Sequence, residues 1–144
     1  MKKTILILLL IIPVVVVMLA YLLSGFIGRN ITVVPISGIE VNYNIAEDRG
    51  ILPLVLDEHI FQLARISVGG VIVLPDFVEA RPRGARIGDL FVEAVHLGAS
   101  DPIEGMISVS NGIITMNQAS NRIIELRIGD GVSIFMTIWV LEVV

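Results

Sequence analysis

The chain has 144 residues, 55% of them hydrophobic, with no cysteine and a formal net charge of −4. Its length leaves room for one small domain beside a membrane anchor. The lack of cysteine excludes a disulfide framework, a thiolate metal site and a cysteine nucleophile. Beyond Gly28, eight arginines stand against fourteen carboxylates, a balance of −6. This balance argues against nucleic acid as a partner, because phosphate binding needs a basic surface.

The first predicted element is the apolar stretch Ile5–Leu23, nineteen residues without a charge. As a helix it covers about 30 Å, the thickness of the hydrocarbon core of a bilayer. We assign residues 1–28 to a transmembrane signal-anchor helix that binds membrane lipid through this stretch. Lys2 and Lys3 precede it, which predicts an N-terminus in the cytoplasm or on the inner side of a virion membrane.

Two alternatives to an uncleaved anchor stay open. A cleaved signal peptide has an apolar core of about 7–15 residues and small residues before its cleavage site, whereas this stretch is longer and lacks an A-x-A pattern. A pilin-like helix would follow a cut after Gly or Ala, but Lys3-Thr4 precedes this one. Lipidation is excluded, because Phe26 follows Leu23-Ser24-Gly25 where a lipoprotein needs cysteine.

Residues 29–144 are predicted to form an extracytoplasmic, mainly β domain, because short β-branched runs alternate there with turn residues. Pro35 and Pro53 place their strands at sheet edges, since proline has no N–H for a ladder. Gly69-Gly70 predicts a hairpin turn into the strand Val71–Leu74. The other strands predicted in this half are Ile31–Ser37, Gly38–Ile45, Ile51–Leu56 and Phe77–Ala80.

Two stretches fit either a helix or a strand. In Asp57–Val68, Asp57 would cap a helix, whereas a strand would begin after Phe61. Arg86–Leu97 has apolar residues at helical spacing but also fits a strand entered through Gly88-Asp89. The surrounding β pattern favours the strand in both cases.

The last third gives clearer signals. Asn111-Gly112, a strong two-residue hairpin turn, joins the strands Ile103–Ser110 and Ile113–Asn117. Arg122–Ile128 and the terminal strand Val132–Val144 are joined by the turn Gly129-Asp130-Gly131. Because the terminal strand is apolar on both faces, we expect it to be central in its sheet or covered by a partner. Eight or nine strands at this spacing predict one antiparallel β-sandwich or jelly-roll-like domain.

Candidate chemistry is sparse in this sequence. Asp57-Glu58-His59 places two carboxylates beside a histidine, as a general base or a metal site needs, and His96 is the only other histidine. No G-x-S-x-G motif occurs. Isolated histidines more often pack or face solvent, so we expect no enzyme, no catalytic residue and no cofactor.

Two further groups of charged residues have both an ordinary and a functional interpretation. Asp101, Glu104 and Asp130 offer oxygen ligands for calcium, but the D-x-D-x-D-G spacing is missing, so no metal is assigned. The basic run Arg81–Arg86 is either a solvated loop or a docking loop for an acidic neighbour, such as the Glu40–Asp48 region of another copy.

From residue 84 to residue 144, the order of turns and alternating strands resembles small jelly-roll-like β domains of bacteriophage virion and fibre proteins. In those proteins such domains trimerise or decorate larger assemblies, and the resemblance supplies no catalytic residues. A membrane anchor is unusual among them and implies a membrane-containing virion or a cell surface. The segments that carry the resemblance are Gly84–Val92, Gly105–Val109, Asn111–Thr115 and Thr137–Val140.

These observations predict a single-pass membrane protein with structural function. Its β domain is expected to self-assemble into, or to decorate, a virion, filament or envelope layer, with copies of itself or other structural subunits as partners. One specific mechanism is donation of Ile31–Ile45 to the sheet of a neighbour. The alternatives are an accessory binding subunit of a membrane complex and a pilin-like filament subunit.

Overall fold

The computed structural model describes residues 2–31 and 33–144, with side chains for residues 2–22 and 33–144. The chain divides into two compact units, one ending at Val33 and the other beginning at Val34. The first unit is the helix α1, Lys2–Ile31, which contains Pro13. Its segment Lys2–Leu22 has a mean hydropathy of 3.2 and is long and apolar enough to span a membrane.

From Ile5 to Leu22, the described side chains of α1 carry no charge on any side, as expected for a helix that is surrounded by lipid or protein. A proline at mid-span removes one backbone hydrogen bond, which neighbouring groups can replace in a membrane helix. The helix continues three residues past the predicted anchor boundary at residue 28.

The second unit contains ten strands in its described residues and one short helix. The helix, α2, spans Tyr43–Asp48, and 3₁₀ turns span Leu74–Asp76 and Ile87–Asp89. The strands are β1 Gly38–Val41, β2 Ile51–Val55, β3 Ile60–Leu63, β4 Val71–Val73, β5 Val78–Arg81, β6 Phe91–His96, β7 Ile107–Ser110, β8 Ile113–Met116, β9 Ile124–Gly129 and β10 Ile134–Val140.

The largest sheet has the strand order β2-β3-β10-β9-β6. The terminal strand β10 is therefore central, as its doubly apolar sequence predicted. It runs antiparallel to β9 but parallel to β3, so the expectation of a purely antiparallel domain is wrong. A parallel neighbour requires a long connection, and the chain between residues 63 and 134 supplies it by building β4 to β9.

Two smaller sheets complete the unit, one with the order β4-β8-β7 and one pairing β1 with β5. The β7–β8 hairpin is confirmed: Asn111 and Gly112 have φ angles of 51° and 78°, the positive values that a type I′ turn requires. The hairpin predicted at Gly69-Gly70 is wrong. Val71–Val73 pairs with β8, so the two glycines lead from one sheet to another.

One hydrophobic core joins the strands of all three sheets. Alternate residues of β9 and β10 point into it, and Leu126 and Ile138, which face each other across these strands, are fully buried. The sheets are open, and the predicted sandwich is not confirmed. Ile124, Ile128, Met136 and Val140 complete the buried set on the two central strands.

Two predicted strands near the start of the unit differ from the structure. Ile31 is the last residue of α1, residues 33–37 form no strand, and Thr32 lies outside the described residues. Gly38–Ile45 is a strand only to Val41, because the Asn42 side chain accepts a hydrogen bond from the Ile45 N–H at 3.3 Å and caps α2. Residues 38–41 pair with β5 of their own chain, so they are not free for donation to a neighbour.

Candidate interaction surface

The edge hairpin, which we define as residues Ile51–Leu63, carries an exposed apolar surface. Its first strand, β2, lies at the edge of the five-stranded sheet, as Pro53 predicted. Ile51 is buried, but the next aliphatic side chains are not. Leu52, Leu54, Val55 and Leu56 are 49%, 45%, 42% and 59% exposed.

Only some backbone groups of β2 are free to form hydrogen bonds with another strand. Thr137 and Leu141 donate to the carbonyls of His59 and Leu63 at 3.0 Å, so alternate residues of β3 bond to β10. Gln62 lies between these two residues of β3, so its backbone groups point to the other side, toward β2, where its partner is Leu52. Pro53 follows Leu52, so an N–H at position 53 would point away from β3 and out of the sheet. An edge strand tolerates proline at such a position.

Charged side chains lie at both ends of the edge hairpin. Arg49 and Arg65 flank its open end, where both line a cleft of about 260 Å³ together with Ile51. Asp57 and Glu58 are exposed in its turn. The arginines reach Asp76 at 3.2 Å and Glu142 at 3.6 Å, but their own side chains remain 59% and 65% exposed. The open end of the hairpin thus carries two arginines that are matched by two carboxylates, whereas its turn is acidic.

The turn of the edge hairpin is held by an aromatic cluster. Tyr43 of α2 places its Oη 2.9 Å from His59 Nδ1, and its ring stacks on the rings of His59 and Phe61 with centroid distances of 6.2 and 5.7 Å. His59 has a φ of 50°, a left-handed conformation that is uncommon outside glycine. The candidate catalytic histidine therefore bonds to a tyrosine, and its interaction with the neighbouring carboxylates is not observed.

The other candidate ligands are dispersed. His96 ends β6, the edge strand opposite β2, and its Nδ1 is buried without a hydrogen-bond partner among the described residues. Asp101 and Glu104 lie in the loop after β6. Within the described residues, no group of three or more acidic or histidine side chains has the geometry of a metal site.

The Asp130 side chain holds the turn between β9 and β10 through two hydrogen bonds. Its Oδ1 accepts hydrogen bonds from the backbone N–H groups of Ser133 at 2.6 Å and Val132 at 2.8 Å. These bonds lower the pKa of Asp130, the one to Ser133 contributing most, because they stabilise the charged carboxylate. Asp130 thus fixes the turn that its sequence Gly-Asp-Gly predicted.

The basic run Arg81–Arg86 is partly neutralised within the chain. Arg81 pairs with Glu40 on the neighbouring strand and lies 3.5 Å from Glu79. Glu40 is thus engaged by its own chain. Among the described side chains, Arg83 and Arg86 have no ion pair.

A second apolar patch surrounds the β9–β10 turn. Phe91 and Ile134 flank Gly129 across three strands and are 51% and 57% exposed, and Val132 at the tip is 95% exposed. Beside it, the Arg127 side chain donates to the Ala99 carbonyl at 3.0 Å and pairs with glutamates of β6 and β9. Sequence patterns do not single out this patch, because its members come from two separate parts of the chain.

The exposed edge of β2 was also missed as a surface, although the run Leu52-Pro53-Leu54-Val55-Leu56 contained the signal. Five consecutive apolar residues around an edge-strand proline predict that some side chains lack cover within the domain. No protein-family model, curated protein or solved structure matches the chain. The candidate site therefore rests on geometry alone.

Proposed function

We propose that this protein is a membrane-anchored structural subunit whose β domain assembles with copies of itself or with other structural subunits. The observation that supports it is the exposed apolar edge strand β2. Four aliphatic side chains between 42% and 59% exposed lie on that strand and at the residue that follows it. Contiguous apolar surface of this kind marks interaction sites in soluble domains.

Covering this edge would lower the free energy of the domain. Apolar surface gains about 25 cal/mol for each Å² removed from water, and an uncovered strand edge also offers main-chain groups to a partner. A domain that leaves both exposed is stabilised by covering them. Assembly provides that cover.

We further propose a topology and a setting for the domain. Lys2 and Lys3 would keep the N-terminus inside, so that the β domain lies on the cell-surface or virion-exterior side. The domain would act as a jelly-roll-like module in a virion, filament or envelope layer, in line with the resemblance of residues 84–144 to bacteriophage structural domains. Nucleic acid and cofactors have no part in this proposal.

The oligomeric state of the full chain in detergent micelles tests the proposal. Sedimentation should give dimers or larger species, and cross-linking in native membranes should trap the same contacts. In the matched control, residues 1–33 are fused to an unrelated monomeric domain, which removes the β domain but keeps the helix. A wild-type chain that is monomeric in micelles and gives no cross-linked species in native membranes, or equal assembly of the control, would overturn the proposal.

A second candidate function is an accessory subunit that binds a different protein through the β9–β10 turn. The exposure of Val132, 95%, beside Phe91 and Ile134 favours it. Under this alternative the protein is monomeric alone, and Val132→Glu abolishes recovery of a stoichiometric partner from membranes. Leu54→Glu, on the edge hairpin, is the matched control and leaves that recovery unchanged.

A further inference from the structure

We infer that the basic run, residues 81–86, binds the anionic headgroups of the lipid bilayer in which α1 is anchored. This inference rests on the membrane anchor in the proposed function and adds a lipid contact for the second unit. Three features support it: the separation of charge along the chain, the unpaired guanidinium groups of the basic run, and the short connection from α1.

Positive charge is concentrated in two segments of the chain. Residues 29–37 and 81–89 together hold four arginines and one carboxylate, Asp89, a balance of +3. The rest of the chain beyond Gly28 holds four arginines and thirteen carboxylates, a balance of −9. A negatively charged membrane surface attracts the first set and repels the second. It therefore favours an arrangement in which the two basic segments are the part of the chain nearest the headgroups.

The two basic segments are neighbours in the fold. The Ser37 N–H donates to the Arg81 carbonyl at 2.8 Å. A Cβ added at Gly84 would lie 3.4 Å from the Val34 Cγ2, so the first segment lies along the basic run. Ile36 packs against the hydrophobic core, which fixes the first segment to the domain.

Two arginines of the basic run are available to a ligand. Arg83 and Arg86 are exposed, and neither has an ion pair among the described side chains. Arg81 is instead matched by Glu40. A guanidinium group donates in a fixed fork that fits the oxygens of a phosphate. Phosphate groups are thus the ligands to which Arg83 and Arg86 are suited, and lipid headgroups supply them.

The connection from α1 to the basic segments is short. Arg29 is the first charged residue after Lys3, and arginine near the end of a membrane helix extends its side chain to the headgroups. α1 ends two residues later, at Ile31, and two further residues separate Ile31 from Val34. Because an extended residue spans at most about 3.6 Å, the chain can cover no more than about 11 Å between Ile31 and Val34. The basic run, which lies beside Val34, is therefore within reach of the headgroups.

Another copy of the chain is the alternative partner for the basic run. Its acidic residues between 40 and 48 would have to supply the contact, but Glu40 is already paired with Arg81 of its own chain. Lipid headgroups surround every anchored copy and require no second protein. The structure therefore favours lipid as the partner.

Arginine footprinting tests the inference on the full-length, unmodified protein. Nanodiscs that hold one copy each are prepared with phosphatidylcholine alone or with a mixture that contains anionic phosphatidylglycerol. Mass spectrometry measures the rate at which phenylglyoxal modifies each arginine. In the anionic bilayer, Arg83 and Arg86 should react about fivefold more slowly than in phosphatidylcholine. Arg122 is the control, because it is also exposed and has no ion pair among the described side chains, and its rate should be equal in both.

Inorganic phosphate distinguishes a lipid surface from a site for a free anion. Added to the phosphatidylcholine nanodiscs, it should leave the modification rate of Arg83 unchanged. Protection by inorganic phosphate equal to that by the anionic bilayer would overturn the inference in favour of a free phosphate site. Protection that appears only when a nanodisc holds two copies would identify the second copy as the partner and would also overturn it.

A matched pair of variants measures how close the basic run lies to the headgroups. Since the protein has no cysteine, Gly88→Cys provides one labelling site, and its added Cβ meets no atom closer than 3.4 Å. Lipids with a spin label in the headgroup should quench a fluorophore at this site in the anionic bilayer. Arg83→Glu should lower this quenching, whereas Arg122→Glu, with the same change of charge, should not. Equal quenching in the two folded variants, as judged by circular dichroism, would contradict the inference.

The outcomes separate the inference from the proposed function. If the chain is inserted in the nanodiscs but Arg83 and Arg86 react equally in both bilayers, the inference fails and the proposed function stands. If alkaline carbonate extracts the chain from native membranes, the anchor is absent and both fail.

Discussion

Tyr43 Oη lies 2.9 Å from His59 Nδ1, and this bond joins the short helix α2 to the turn of the edge hairpin. The two residues are 16 positions apart, and their rings are stacked with an interplanar angle of 19°. The same hydroxyl lies 3.4 Å from the Leu56 carbonyl. The position of the exposed apolar strand therefore depends on a side chain from another element.

Tyr43→Phe should destabilise the β domain by about 1 kcal/mol, because it removes a partly buried hydrogen bond while keeping the ring packing. Denaturant unfolding of the full chain in micelles, followed by Trp139 fluorescence, measures the change. A double-mutant cycle with His59→Asn, which tolerates the left-handed backbone, should show a coupling energy of about 0.5–1.5 kcal/mol. Additive effects would show that the two side chains do not interact.

Leu126→Ala should cost about 2–5 kcal/mol, because Leu126 is fully buried between the central strands and its truncation leaves a cavity. Leu97→Ala makes the same chemical change at a side chain that is 41% exposed, and its cost should be about 1 kcal/mol or less. Thermal unfolding by circular dichroism compares the two. Equal costs would mean that β9 is not part of the core.

Gly129→Ala should destabilise the domain by about 3 kcal/mol or more, since its added Cβ would overlap the backbone carbonyl of Ser133. A backbone atom within a tight turn cannot move aside as a side chain can. Gly38→Ala is the control, because no atom lies within 4 Å of the added Cβ. It should be neutral or stabilising by up to about 1 kcal/mol, and an unfolded Gly38→Ala would contradict the register of β1.

The lowered pKa of Asp130 gives the β9–β10 turn a predictable response to acid. Because the pKa of Asp130 is lower in the folded state than in the unfolded state, its carboxylate stabilises the fold fully above the unfolded pKa, about 3.9. This stabilisation is lost as the pH falls through the folded pKa. Asp130→Asn should therefore flatten the acid limb of the stability profile. The carboxyl ¹³C shift of Asp130 against pH measures the titration, and an unshifted midpoint would contradict the two hydrogen bonds.

Local signals in the sequence determined much of this protein. Nineteen uncharged residues define a helix long enough for a membrane without reference to the rest of the chain. Asn111-Gly112 and Gly129-Asp130-Gly131 determined two hairpins, because the backbone angles of a short turn depend on the residues within it. The terminal strand, apolar on both faces, was predicted to be central or covered by a partner, and it lies between β3 and β9.

Tertiary structure decided which distant segments pair. Gly69-Gly70 fits a hairpin turn, yet β3 lies between β2 and β10 and β4 pairs with β8, since the gain from burying one shared core outweighs a local turn preference. The helix at Tyr43–Asp48 replaced a predicted strand because the Asn42 cap and the contact with His59 stabilise it. The exposure of Leu52 to Leu56 likewise depends on no other strand covering β2. Sequence specifies a turn or a span through neighbouring residues, whereas an edge is defined only by which strands the whole fold leaves unpaired.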